Sequence, residues 1–546
     1  MIQYKRYSTL YYLFILIFLM IIFAYARDRS TPLPIPQVKE PVFAGHEVNI
    51  LDFGAKGDGE TVNTTAINYA IQQCARDGGG RVIIPRGVWL TGPIDLASHI
   101  DLHLEKGALL LFSSDFDDYK LIASSFAGVN QVRCTSPVNA VNLENIAITG
   151  EGIIDGSGDA WRPVKRFKMP DRQWNELISS GGVVDERDGI WWPSREAMNG
   201  ADYISSLGDS ASLQDYAPAR DFLRPVMIRL VNCKQVLLDG PVFQNSPAWN
   251  IHPLLCENVI IRNITVRNPW YSQNGDGLDL ESCKNVMVTD CGFDVGDDAI
   301  CLKSGKDEFG RKRGIPCENI MIRNCTVYSG HGGVSIGSEM SGGVRNVWVT
   351  DCTFMGTDVG VRFKSMRGRG GIVENLHFQR IRMVNIKNQA ILFDLFYESD
   401  PDMGGEPVFN SGTPVFRDIS FTDITSLNAQ TAVFIRGLPE STIRDIQFEN
   451  LLSSSRDGIQ CTYAENIRFE NLNMVTEHKP VIDIHQGRNI LFSFIRDFQP
   501  QGTLIKVTGD QSRDIRIDAP GLKELLPEID YGSDVHGDAV KVGLVE

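Results

Sequence analysis

From about residue 140 onward the sequence repeats one short pattern: a polar residue, then Asn or Asp, then an alternating apolar run. It reads Glu257-Asn258-Val259-Ile260-Ile261, then Lys284-Asn285-Val286-Met287-Val288, then Glu318-Asn319-Ile320-Met321-Ile322. The anchors continue at Asn346, Asn375, Asp418, Asp445, Asn466, Asn489 and Asp514. Successive anchors lie 21 to 29 residues apart, save two longer intervals that read as loop insertions. A period of that length implies a stack, because one unit cannot bury its own apolar face. Each unit has room for two or three short strands and no helix of leucine-rich or ankyrin length. The pattern therefore predicts an all-β chain, a right-handed parallel β-helix. The recurring Asn or Asp marks a turn that needs left-handed backbone.

The cysteines obey the same period. Cys256, Cys283 and Cys317 each precede an anchor by two residues, and Cys291, Cys325 and Cys352 each follow one by six. Other units carry Ile264, Ile381, Ile424 or Leu451 at the latter position. A column that alternates Cys with Ile and Leu is an inward-facing ladder. Buried free thiols are expected, not disulfides, and the Cys-x₂-Cys spacing of zinc sites is absent.

The ends read differently. Lys5 and Arg6, an apolar run to about Ile22 and then Ala24-Tyr25-Ala26 have the form of a secretory signal peptide over 1–26. That predicts export, to the periplasm or beyond. A Pro-rich connector follows over 27–45, the β-helix over 46–520, and a tail over 521–546. Thr64 to Arg76 has a helical apolar stripe, stopped by Gly78-Gly79-Gly80, and is expected to cap the open end of the stack. A net charge of −15 argues against a nucleic-acid-binding surface. One segment, 157–224, escapes the repeat; it holds Trp161, Trp174, Trp191 and Trp192 among Arg162, Lys165, Arg166, Lys168 and Arg172. Two readings stand for it: a loop that shapes a site for a sugar acid, or a small subdomain on the outer wall.

Aligning consecutive units brings distant residues together. Gly275-Asp276-Gly277-Leu278 lies over Asp297-Asp298-Ala299-Ile300, then His331-Gly332-Gly333-Val334, then Asp358-Val359-Gly360-Val361-Arg362-Phe363-Lys364. In this register Asp276 stacks over Asp298, His331 falls one coil beyond Asp297, and Arg362 and Lys364 point outward together. Carboxylates crowded on one patch raise the pKa of one member, which suits a general acid beside carboxylates that hold a water. A calcium site or a solvated acidic edge is the alternative. Cations aimed at such a wall (Arg362, Lys364 and Lys303) suit a substrate bearing carboxylates. The pattern calls for no metal and no cofactor.

These motifs, Asn274-Gly275-Asp276, Gly296-Asp297-Asp298, Gly330-His331-Gly332 and Arg362-Phe363-Lys364, occur in the order found in glycoside hydrolase family 28. The sequence resembles that family, the polygalacturonases of pectin breakdown, over nearly the whole mature chain. The resemblance implies inverting hydrolysis of α-1,4-galacturonosyl linkages, with Asp297 as general acid and Asp276 and Asp298 activating water. It implies that His331 supports the acid and that Arg362 and Lys364 bind a galacturonate carboxylate. It further implies Tyr397 near the site and His252 lining the cleft. Lys303 stands where endo-acting members carry Asn, and a basic stretch follows it; both look like the exo-acting branch. The implied partner is a galacturonate-rich poly- or oligosaccharide, met by a monomer with no nucleic-acid or membrane contact after signal cleavage. Three rivals remain open at this level: a hydrolase of rhamnogalacturonan or decorated galacturonan, a calcium-dependent lyase, and a non-catalytic polysaccharide-binding β-helix.

Overall fold

In the computed structural model, residues 36–208, 210–398, 408–497, 502–518 and 529–543 are described. The signal segment 1–26 and the start of the connector lie outside them. Among the described residues, 37 strands join one continuous sheet whose named pairings are all parallel. Each strand pairs with the equivalent strand of the next coil, as in Glu257–Arg262 on Lys284–Thr289 and the latter on Cys317–Arg323. Three such series wind side by side, which is a parallel β-helix.

The anchors behave as expected. Asn258, Asn285, Asn319, Asn346 and Asn375 all have φ between 56° and 59°. Their amides form a ladder: Asn319 donates to Asn285 at 3.1 Å, Asn346 to Asn319 at 3.0 Å and Asn375 to Asn346 at 2.7 Å. Asn tolerates the left-handed turn and spends its amide on the neighbouring coil.

The interior is a set of columns. Leu278, Ile300, Val334 and Val361 are in register and buried, as are Leu280, Leu302, Ile336 and Phe363. Each fully buried aliphatic side chain contributes about 1.5–3 kcal/mol. Phe378, Phe421, Phe448, Phe469 and Phe492 stack with centroids 4.7–4.9 Å apart, matching the strand spacing. All eleven cysteines are free and buried.

Helix α1 (Thr64–Arg76) turns Ile67, Ala70, Ile71 and Cys74 into the core and packs against the first strands. Gly80 follows it at φ 147°, where a Cβ would stand 2.2 Å from the His46 carbonyl oxygen. The connector is anchored where it is described: Val38 and Phe43 lie on Ala147, Leu237 and Ile260 of the outer wall. The tail needs correction. Ile529–Tyr531 pairs with Ile505–Thr508, and Val540–Gly543 with Arg513–Asp518, so the sheet runs on past residue 520. These last strands are three and four residues long and carry no Asn or Asp anchor, so the repeat is invisible there.

One wall carries the outward-facing motifs. Its strands are β1 (Ile251–Leu254), β2 (Leu278–Glu281), β3 (Ile300–Lys303), β4 (Gly332–Gly337), β5 (Val359–Lys364) and β6 (Gln389–Asp394). The segment 157–224 leaves this stack and forms helices α2 (Asp171–Ser179) and α3 (Arg195–Ser206) with a small antiparallel sheet. A further helix, α4 (Asp307–Arg313), accounts for one of the long intervals between anchors.

Candidate active site

Asp276, Asp297 and Asp298 sit on the turns that lead into β2 and β3. The Gly277 amide donates to the Asp298 carbonyl at 3.0 Å, which fixes one turn over the other. Gly332 occupies the equivalent place at the start of β4. A Cβ there would come within 2.8 Å of Asp298 Oδ1, so the absence of a side chain makes room for the carboxylate. Asp297, His331 and Asp358 form the adjacent column: the His331 amide donates to the Asp297 carbonyl at 2.8 Å, and the Val359 amide to the His331 carbonyl at 3.0 Å.

The side chains then converge. His331 Nδ1 is 3.1 Å from Asp297 Oδ1, and its Nε2 is 3.7 Å from Asp358 Oδ2. Lys364 donates to Asp298 Oδ2 at 2.8 Å, and Arg362 to Asp298 Oδ1 at 3.3 Å. The Tyr397 ring lies 5.5 Å from the Arg362 guanidinium and 5.1 Å from the Lys364 ammonium. The register read from the sequence holds for Asp276, Asp297, Asp298, His331, Arg362 and Lys364, and Tyr397 lies beside the last two.

Electrostatics divide the carboxyls. Burial, reinforced by Asp297 and Asp279, pushes Asp276 well above the ordinary carboxylate range. Burial would raise Asp298 too, but Lys364 and Arg362 outweigh it and hold Asp298 far below that range. For Asp297, burial is overcome by the hydrogen bond and charge of His331, so it also lies below its usual value. The carboxyl of the group pushed toward protonation, as crowding demands, is Asp276 and not Asp297.

Two expected substrate contacts take other places. His252 does not line the cleft: it is 1% exposed, with Nε2 3.1 Å from Glu281 Oε2 and Trp249 edge-on at 5.1 Å. Its strand faces it outward, as the register requires, but the polar layer of Glu281, Arg313 and Trp249 covers it. Lys303 is 3% exposed and already engaged, by Glu339 at 2.9 Å and Asp279 at 3.6 Å. It stands behind Asp276 as fixed positive charge, where an arriving carboxylate does not reach it. Lys364 is likewise buried, leaving Arg362 as the member of the pair that lines the cleft.

The cleft measures about 680 Å³ and is walled on several sides. Lys165, Phe167 and Lys168 come from the excursion, Lys306 from the entry to α4, and Arg369 and Glu398 from the loops after β5 and β6. Lys306 is braced by a β-hairpin (Leu121–Phe126 and Val129–Cys134), whose tip Gly128 accepts from the Lys306 amide at 3.0 Å. The tryptophans of the excursion are not in the wall. Trp161 packs on Phe116 and Tyr119, and Trp174 and Trp191 pack with Val164 and Met169. The aromatic faces offered to the cleft belong instead to Phe167, 80% exposed, and Trp270, 48% exposed.

The sequence reading passed over Lys168, Asp358, Lys387 and Glu339 as site residues. Asp358 carried a signal, for it occupies the same column as Asp297 and His331. Lys168 carried none beyond its charge, since no register ties the excursion to the coils. As for metal, Asp276, Asp298 and Cys301 place candidate ligand atoms within 4.8 Å of one another. A thiol with two carboxylates, one of them already held by Lys364 and Arg362, is a poor set for calcium, which takes six to eight oxygens.

Comparison with known proteins agrees with this geometry. The model of the family "Glycosyl hydrolases family 28" matches residues 199–471. A probable polygalacturonase of Vitis vinifera is 30% identical over 419 residues, covering 74% of either chain. An exo-poly-alpha-D-galacturonosidase of Dickeya chrysanthemi is 32% identical over 361 residues, 64% of this chain and 57% of that one. Among solved structures, a hyperthermoactive exopolygalacturonase from Thermotoga maritima superposes with a TM-score of 0.62 at 32% identity, covering 83% of this chain and 93% of its own.

Proposed function

This chain belongs to the glycosyl hydrolases of family 28, and from that premise we propose that it is an exported exo-polygalacturonase. It removes galacturonate from chain ends of homogalacturonan or its oligosaccharides by inverting hydrolysis. One observation carries the exo reading: the cleft, about 680 Å³, is narrowed by side chains from outside the coils, Lys165, Phe167 and Lys168 from the excursion and Lys306 and Arg369 from loops. A cleft of this size, flanked by such loops, suits a chain end better than a polymer running through. The similarity to relatives described as exo-acting supports the same reading. The signal-like segment 1–26 supports export.

Asp297, at the mouth of the cleft, protonates the leaving glycosidic oxygen. Asp298, kept ionised by Lys364, deprotonates the attacking water on the opposite side of the ring, and Asp276 helps to hold that water. Arg362, with Tyr397 against its face, takes the galacturonate carboxylate. His331 sets the protonation of Asp297. The enzyme acts as a monomer.

Product analysis on unmethylated polygalacturonate, sampled early and with chelator present, tests this. Monomer or dimer alone, with viscosity almost unchanged, is the expected result. A ladder of oligomers with rapid viscosity loss would overturn exo action, and loss of activity to the chelator would overturn the metal-free mechanism.

A further inference from the structure

Lys168 is the feature that the mechanism above does not use. It comes from the excursion, yet its ammonium reaches the catalytic column: Nζ is 3.3 Å from His331 Nε2 and 3.3 Å from the Gly296 carbonyl oxygen. An ammonium has protons to donate and no lone pair to offer. In the neutral ring His331 Nε2 therefore accepts, which places the ring's single proton on Nδ1, donated to Asp297 Oδ1 at 3.1 Å. A donor in that position favours the carboxylate form of Asp297. This arrangement favours an unloaded acid, and the acid must gain a proton before it can act.

Lys168 also lines the cleft, beside Lys165 and Arg362, where a uronate carboxylate binds. We propose that Lys168 is a positioning residue that couples substrate occupancy to the protonation of Asp297. This rests on the exo-polygalacturonase reading above. A substrate carboxylate draws the ammonium away from His331. Nε2, now free, takes one proton from solvent and turns it toward Asp358 Oδ2, 3.7 Å away. The Nδ1 proton passes to Asp297 Oδ1. One proton enters, one moves on, and the imidazole ends neutral as the other tautomer. The acid is loaded only when the cleft holds a charged sugar.

The charges facing His331 all enter this balance. Asp297 and Asp358 flank the ring, Lys387 pairs with Asp358 at 2.8 Å, and Lys165 stands beside Lys168 on the excursion. Burial, only partly offset by Asp297, lowers the proton affinity of Lys168, a cost that a carboxylate in the cleft would relieve.

The test is the pH dependence of Lys168→Met beside Lys168→Arg. Removing a positive charge from Nε2 lets the His331–Asp297 pair keep a proton to higher pH in the free enzyme. The basic limb of kcat/KM should rise by about one pH unit in Lys168→Met, while that of kcat stays near wild type, because Lys168 has already left His331 in the complex. Lys168→Arg should restore the wild-type limb. Equal movement of both limbs, or no movement, would overturn the coupling. Nitrogen NMR of His331 in the free protein reads the same point without substrate: Nδ1-protonated in wild type and not in Lys168→Met is expected, and identical spectra would overturn it. Wild type inactive on polygalacturonate would sink the functional reading alone, with the NMR result still deciding the role of Lys168.

Discussion

Lys364 reaches across two coils to donate a hydrogen bond to Asp298 at 2.8 Å, with both side chains buried. The ammonium is thereby fixed by the protein before any substrate arrives. It keeps Asp298 ionised, and in the proposed mechanism this leaves Arg362 as the cation that meets a sugar carboxylate.

Lys364→Met should therefore damage the base more than the affinity. Removing one partner of a buried pair costs about 3–5 kcal/mol, so the thermal midpoint falls. Asp298 now binds protons more readily. Its folded form is depressed by Lys364, so the stability it adds is present above the unfolded carboxylate range and lost as pH falls through the folded one. In the variant that loss begins at higher pH, and the acid limb of kcat moves up with it. A variant with a normal acid limb and raised KM alone would return Lys364 to direct substrate binding.

Asp297→Asn should abolish turnover and spare the fold. The carboxyl is part-exposed at the cleft and its partner His331 can reorient, so no buried charge is orphaned. General acids contribute about 10²–10⁴-fold, and kcat should fall by that much. The thermal midpoint should stay within about 1 °C of wild type, as for a surface change. Retention of a tenth of the activity would remove Asp297 as the acid.

The sequence was most informative where the solenoid dictates neighbours. Once Asn285, Asn319 and Asn346 set the register, Asp276 had to stack near Asp298 and His331 near Asp297, because a strand two residues long or six has the same alternation. It was least informative about depth. His252, Lys303 and Lys364 alternate outward like Arg362, yet loops bury them, and burial on that face depends on contacts between segments with no shared period. Lys168 shows the same limit from the other side: it enters the site from 157–224, whose folding obeys local packing of Trp161, Trp174 and Trp191.

The buried His252 gives a stability prediction. Glu281, almost fully buried, would be raised by that burial, but the hydrogen bonds and charges of His252 and Arg313 hold it below its usual value. A depressed carboxyl stabilises the fold above its unfolded range and ceases to do so as pH falls through its folded one. His252→Leu removes a partner and shifts that loss upward, so acid unfolding should begin at higher pH. At neutral pH the cost should be about 3 kcal/mol, for a buried charge with one partner fewer. KM for oligogalacturonides should barely change; a large rise would put His252 back in the cleft.

The Asn ladder separates backbone from side-chain effects. Asn346 has φ 57°, donates to Asn319 at 3.0 Å and accepts from Asn375 at 2.7 Å. Asn346→Ala loses both bonds and keeps a Cβ on left-handed backbone, at about 1–2 kcal/mol, without the polar side chain that lets Asn tolerate it. The lost bonds add about 1 kcal/mol each. Asn346→Gly loses the bonds but removes the backbone strain, so it should lie between Ala and wild type in denaturant unfolding. The comparison has a definite reading, because only the Cβ distinguishes the two variants. Gly as damaging as Ala would mean that the amide ladder, and not the turn conformation, selects Asn at each coil.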